Sequence, residues 1–157
     1  MPALIDKIIV NMQRGKTMTM HETVQRYKED FDLFETPNEK IEYIFDLGRK
    51  HTTLSEEEKN DATFIEGCAS PAWLVGECRD GKLILRGEGT SEMAKGMLTL
   101  LLDIFSDRTP DEILSFDPAE LHSMGVVELL SPVRQKSMEA FLAKVYDYAK
   151  RCKEGTL

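Results

Sequence analysis

Trp73-Leu74-Val75-Gly76-Glu77-Cys78-Arg79-Asp80-Gly81-Lys82-Leu83-Ile84-Leu85-Arg86 is the stretch that decides the fold. Two strand-forming runs flank Asp80-Gly81, a dipeptide suited to the two-residue turn of a β-hairpin. That turn pairs Cys78 with Leu83 and places Leu74, Gly76, Cys78, Leu83 and Leu85 on one face. Cys78 therefore reads as a packed core thiol, since free cysteine behaves as a small hydrophobe. Trp73 falls on the other face, either beneath a helix or on a docking surface. Just upstream lies Phe64-Ile65-Glu66-Gly67-Cys68-Ala69-Ser70-Pro71-Ala72. Gly67 reaches backbone angles closed to other residues and permits close approach of another chain. Ala69 and Ser70 add little bulk, and Pro71 stiffens the exit. The segment is suited to presenting the Cys68 thiol at a loop tip, and Cys68 is the residue expected to carry chemistry.

Helices flank this unit on both sides. Val24, Tyr27, Phe31 and Phe34 fall on one helical face, after an expected loose extension over residues 1–20. Thr36-Pro37-Asn38-Glu39 is a helix start with a capping box, leading into Ile41, Ile44, Phe45 and Gly48. Residues 49–62 are polar, with Glu56-Glu57-Glu58 as a solvated charge run. Downstream, Met93 to Phe105 is apolar almost all round and is the expected central helix, its methionines acting as core filler. Thr109-Pro110-Asp111-Glu112 repeats the capping-box signature, Asp117-Pro118 marks a further turn or helix start, and Ser131-Pro132 opens a last helix with Met138, Phe141, Leu142, Val145 and Tyr148 at helical spacing. A polar, frayed tail is expected from Arg151, with Cys152 incidental. The order predicts an α+β fold, a small antiparallel sheet of about three strands packed against several helices. Residues 21–152 are expected to form a single domain, with 153–157 as a polar tail.

The chain has 157 residues, enough for a sizeable core without staples. A formal net charge of −8 argues against broad nucleic-acid binding, which needs Lys and Arg against phosphates. No apolar run approaches membrane-spanning length, and Ala3 to Val10 is too short and too charged for a secretory core. A cytoplasmic location is expected. Three cysteines without regular spacing predict free thiols rather than a disulfide framework, and no paired Cys or His spacing suggests zinc.

A working cysteine needs exposure and help with deprotonation. Backbone N–H groups around Gly67-Cys68-Ala69-Ser70 and the nearby Ser70 hydroxyl are one source. Arg134 is another: it lies in the first turn of the last helix, where the macrodipole favours acids. Either it joins the helix N-terminus in attracting a thiolate, or it is an ordinary surface or salt-bridged arginine. His21, His51 and His122 are scattered. A dyad of Cys68 with His51 or His122 stays open, because catalytic partners need only be neighbours in space. No phosphate-cradling GxxxxGK[ST] is present.

Five segments together resemble the SufE family, sulfur acceptors for cysteine desulfurases in iron–sulfur cluster assembly. Ile41-Glu42-Tyr43-Ile44-Phe45-Asp46-Leu47-Gly48-Arg49 resembles the family's early helix. Gly67-Cys68-Ala69-Ser70-Pro71-Ala72-Trp73 resembles its Gly-Cys-x-Ser-x-x-Trp signature. Lys95-Gly96-Met97, Thr109-Pro110-Asp111-Glu112-Ile113 and Leu130-Ser131-Pro132-Val133-Arg134 follow in register. The chain departs from the pattern at Thr63, Ala69, Pro71 and Lys136-Ser137-Met138.

The resemblance implies an α+β fold like that of the iron–sulfur scaffold proteins, without their metal-binding cysteines and without a cofactor or metal of its own. It also implies a mechanism. A pyridoxal-phosphate-dependent, SufS-like cysteine desulfurase forms a persulfide, and Cys68 takes its outer sulfur and passes it to a cluster scaffold. Arg134 is the implied stabiliser of the thiolate or persulfide, while Gly67, Ser70 and Trp73 shape and dock the loop. The implied role is accessory rather than enzymatic. Two other readings compete: a metal- or cluster-binding scaffold of similar fold, and an autonomous thiol enzyme such as a peroxidase.

Overall fold

Asp80 and Gly81 take the left-handed backbone that a tight hairpin turn demands, at φ 52° and 76°. They join β1 (Ala72–Arg79) to β2 (Lys82–Gly89) in an antiparallel pair with Cys78 opposite Leu83, the register expected from the sequence. The computed structural model describes residues 18–68 and 70–157; residues 1–17, most of the expected extension, lie outside it. Among the described residues two strands form the sheet, rather than about three. Each edge carries one isolated bridge instead, Phe64 to Trp73 and Leu83 to Arg108. The stretch around Phe64 is squeezed between the Asn60 turn and the Cys68 loop, so the ladder stops after Leu74 N donates to Thr63 O and Ile65 N to Ala72 O.

Helices are set by their caps. Thr19 and Glu22 form a capping box that starts α1 (Met20–Asp32), so this helix begins within the expected extension. Thr36 caps α2 (Pro37–Leu47), Ser91 caps α3 (Glu92–Phe105), Thr109 caps α4 (Pro110–Ser115) and Ser131 caps α5 (Pro132–Glu154). Short 3₁₀ turns at Pro118–Met124 and Val127–Leu129 lead into α5. The central helix is α3, with Leu100, Ile104 and Phe105 fully buried. It crosses α2 at backbone contact: a Cβ on Gly96 would fall 2.0 Å from the Ile44 carbonyl oxygen.

Helix α5 lies across the sheet face named above. A Cβ on Gly76 would meet the Tyr148 ring at 2.6 Å, and the Tyr148 hydroxyl donates to Leu74 O at 2.7 Å. This packing overturns the expectation of three free thiols, because Cys78 and Cys152 form a disulfide with Cα atoms 5.5 Å apart. Four helical residues rise about 6 Å and two strand residues about 6.6 Å. With Tyr148 over Gly76, Cys152 must therefore arrive over Cys78. The tail is correspondingly not frayed at Arg151. Helix α5 runs through Glu154 and ends on left-handed Gly155, with Cys152 buried.

The opposite face holds Trp73, whose cover the sequence leaves open. Trp73 is half-buried under side chains of the preceding loop rather than under a helix, with the Phe64 ring 5.9 Å away edge-on and Lys59 Nζ 5.6 Å from its centroid. The charge run belongs to the same cover. Glu58 pairs with Arg86, and Lys59 bridges Glu56 and Glu88. Leu54 is buried, its N–H donating to Glu88.

Candidate functional site

The Cys68 loop is clamped at its base. Ile65 and Ala72 are buried and hydrogen-bonded to each other, and Thr90 Oγ1 holds the Pro71 carbonyl at 3.0 Å. Between these anchors Gly67 turns the chain with φ 87°, a conformation L side chains rarely adopt. A Cβ there would meet nothing closer than Ala140 Cβ at 3.9 Å, so backbone angle and not space demands the glycine.

The loop tip does not point into solvent. Cys68 is half-buried and lines a cavity of about 60 Å³ between α3 and α5. One water-sized probe needs roughly 10–15 Å³, so the space admits a group larger than one water beside the sulfur. Met93, Met97, Leu101, Met138 and Phe141 make its wall apolar, while Arg134 and Ser70 stand among the polar lining residues. The Cys68 thiol donates to the Ser137 carbonyl at 4.0 Å. Burial pushes the thiol pKa up, and a separate hydrogen bond with the Ser137 side chain opposes that without cancelling it. In this pose the site shelters a protonated sulfur.

Arg134 lines the same cavity, as the sequence pattern invites, yet its guanidinium is directed to Ser91. Nη1 donates to Ser91 Oγ at 3.3 Å, and among the described residues Arg134 has no carboxylate partner. Ser70 Oγ lies 3.2 Å from the same Ser91 oxygen. Ser91 was not singled out by the sequence reading. Its signal was present in Thr90-Ser91-Glu92, a hydroxyl immediately before an apolar helix.

The histidines are bonded elsewhere. His51 Nε2 accepts the Gly89 N–H at 3.0 Å, His122 pairs with Glu128 and His21 with Glu120. Burial pushes the His51 pKa down. Among the described residues no group of three or more His, Cys, Asp or Glu side chains is placed to hold a metal. No helix among them is long and apolar enough to cross a membrane.

Comparison with known proteins gives a consistent picture. The family model SufE, described as Fe-S metabolism associated domain, matches residues 25–149. An uncharacterized SufE-like protein of Rhizobium etli is 25% identical over 144 residues, covering 88% of this chain and 97% of its own. One from Rhizobium meliloti is 25% identical over 122 residues (74% of this chain, 87% of its own), and one from Synechocystis sp. is 27% identical over 116 residues (74% and 73%). The solution structure of a hypothetical protein from Thermus thermophilus superposes with a TM-score of 0.70. It shares 16% identity over 84% of this chain and 96% of that chain, a likeness of fold.

Proposed function

From the premise that the chain belongs to the SufE family, and so to iron–sulfur metabolism, we propose that Cys68 is a sulfur carrier that accepts sulfane sulfur from a cysteine desulfurase. The observation that carries this reading is the cavity. The one cysteine outside the disulfide sits at an apolar chamber with room beside its sulfur, on a loop anchored at its base.

The transfer balances as a thiol exchange. Cys68 thiolate attacks the outer sulfur of the desulfurase's persulfide, a new S–S bond forms at Cys68, and the desulfurase thiolate leaves. Cys68 must swing out of the chamber for this step, because burial there favours the thiol over the attacking thiolate. The swing turns on Gly67 and the small residues beside it. On return, the Met93, Met97 and Phe141 wall keeps water and soluble thiols from the persulfide. Arg134 supplies positive charge to the anionic sulfur, Ser70 sets the loop's resting position, and Trp73 with Gly67 contributes to partner docking. The cargo goes on to an iron–sulfur scaffold.

In this reading the protein is an accessory stimulator of a pyridoxal-phosphate-dependent enzyme, acting in the cytoplasm. Its activity requires no cofactor of its own, and residues 21–152 form the working unit. Incubation with a desulfurase and cysteine, followed by intact-mass and peptide analysis, tests it. Wild type gains one sulfur atom on Cys68, and Cys68→Ser gains none. An adduct that persists in Cys68→Ser would overturn the assignment.

A further inference from the structure

The Ser91 hydroxyl is the meeting point of three elements. It caps α3 by accepting the Ala94 N–H at 3.1 Å, accepts from Arg134 Nη1 of α5 at 3.3 Å, and lies 3.2 Å from the Ser70 hydroxyl of the Cys68 loop. A hydroxyl has two acceptor lone pairs and one proton. Ala94 and Arg134 take both lone pairs, which leaves Ser91's own proton for Ser70. The oxygen is then saturated, with one partner from each of the three elements.

We propose that Ser91 is a positioning residue that holds the Cys68 loop closed through Ser70 and holds the Arg134 guanidinium at the cavity edge. The inference deepens the sulfur-carrier reading, on which it rests for its biological meaning. The physical basis is local. Among the described residues no ion pair fixes Arg134, so the Ser91 bond is what orients the cation. On the loop side, the sulfur's bond to the Ser137 carbonyl is long, at 4.0 Å, and weak as a tether for the tip.

Cys68 alkylation reads the proposal without a desulfurase, so its failure is distinguishable from failure of sulfur transfer. Neutral iodoacetamide reports opening, and the ratio of rates for anionic iodoacetate to iodoacetamide reports the nearby cation. Losing one hydrogen bond on the closed state predicts roughly two- to tenfold faster iodoacetamide reaction for Ser91→Ala. The same rise is expected for Ser70→Ala, which lies outside any helix and keeps the α3 cap intact. The double variant should react no faster than Ser91→Ala alone. The iodoacetate ratio should fall in Ser91→Ala and Arg134→Gln, stay at the wild-type value in Ser70→Ala, and be restored in Ser91→Thr. Thr109→Ala removes an equivalent cap from α4 and controls for stability. Wild-type rates in both serine variants, an equal rise in Thr109→Ala, or an unchanged ratio in Ser91→Ala would overturn the proposal.

Discussion

The Cys78–Cys152 bond is the perturbation with the largest expected effect on stability. It closes a sequence separation of 74 residues, from the second half of β1 to the last turn of α5. Chain-entropy loss for a loop of that length is about 15 cal/mol/K, or roughly 4.4 kcal/mol at 25 °C. Measured disulfides deliver typically about 2–4 kcal/mol. At roughly 2–4 °C per kcal/mol for a chain of this size, the melting temperature should fall by about 5–15 °C when the bond is removed. The assay is urea and thermal unfolding of oxidised wild type, reduced wild type and a Cys78→Ala/Cys152→Ala variant. Reduction and substitution should give similar midpoints, and reductant should leave the double variant unchanged. Because the uncrosslinked unfolded chain is more expanded, the urea m-value should rise with the loss of the bond. The first turns of α5 lie far along the helix from Cys152, so reduction should leave the Cys68 alkylation rate as it was. Oxidised and reduced wild type unfolding within about 0.5 kcal/mol of each other, with equal m-values, would refute the entropic reasoning.

Gly76→Ala should destabilise the protein by about 1–3 kcal/mol, since the added Cβ overlaps the Tyr148 ring at 2.6 Å and overpacking carries that order of cost; urea unfolding measures it. The Cys68 thiol, its pKa raised by burial, should alkylate with a midpoint above that of an unfolded peptide thiol. With the folded pKa the higher one, the folded state binds the extra proton as pH rises past the ordinary thiol value. Stability linked to Cys68 is therefore complete below that value and declines through the folded pKa, a slope that Cys68→Ser should remove. Glu58, held by Arg86 and the Ser55 backbone, has its pKa lowered to about 2. Its carboxyl carbon should titrate there by NMR and return toward the ordinary glutamate range in Arg86→Ala, while an unmoved midpoint would discard the pairing.

What the sequence disclosed was what depends on neighbours along the chain. Asp80-Gly81 specifies the turn, the turn specifies the register, and period two then assigns the faces correctly. The hydroxyl-Pro-acid starts at Thr36 and Thr109 mark helices for equally local reasons. The failures are all questions of what packs on what. The Cys78–Cys152 bond needed the register of α5 on the sheet, which follows only once Tyr148 is known to sit over Gly76. What lies on Trp73 stays open in the sequence, because its neighbours Lys59 and Phe64 come from a loop that folds back onto β1. At the site, Cys68 and Arg134 were both legible as candidates, and they do line one cavity. The oxygen connecting them to Ser70 belongs to Ser91, an unremarked cap whose second and third partners come from distant segments.

The pose of Cys68 sets two requirements against each other. An attacking sulfur must be ionised and reachable, whereas this one is desolvated beside methionines and donates its proton to a carbonyl at 4.0 Å. A carried sulfur has the opposite need, since a solvent-exposed persulfide is open to any soluble thiol. One rigid arrangement cannot serve both. The loop's construction resolves the conflict, with strong bonds at its base through Ile65, Ala72 and Pro71 and weak ones at its tip through Cys68 and Ser70. Opening then breaks weak contacts at the tip and keeps the bonds that Ile65, Ala72 and Pro71 make at the base. That places the motion among local excursions well below the cost of global unfolding.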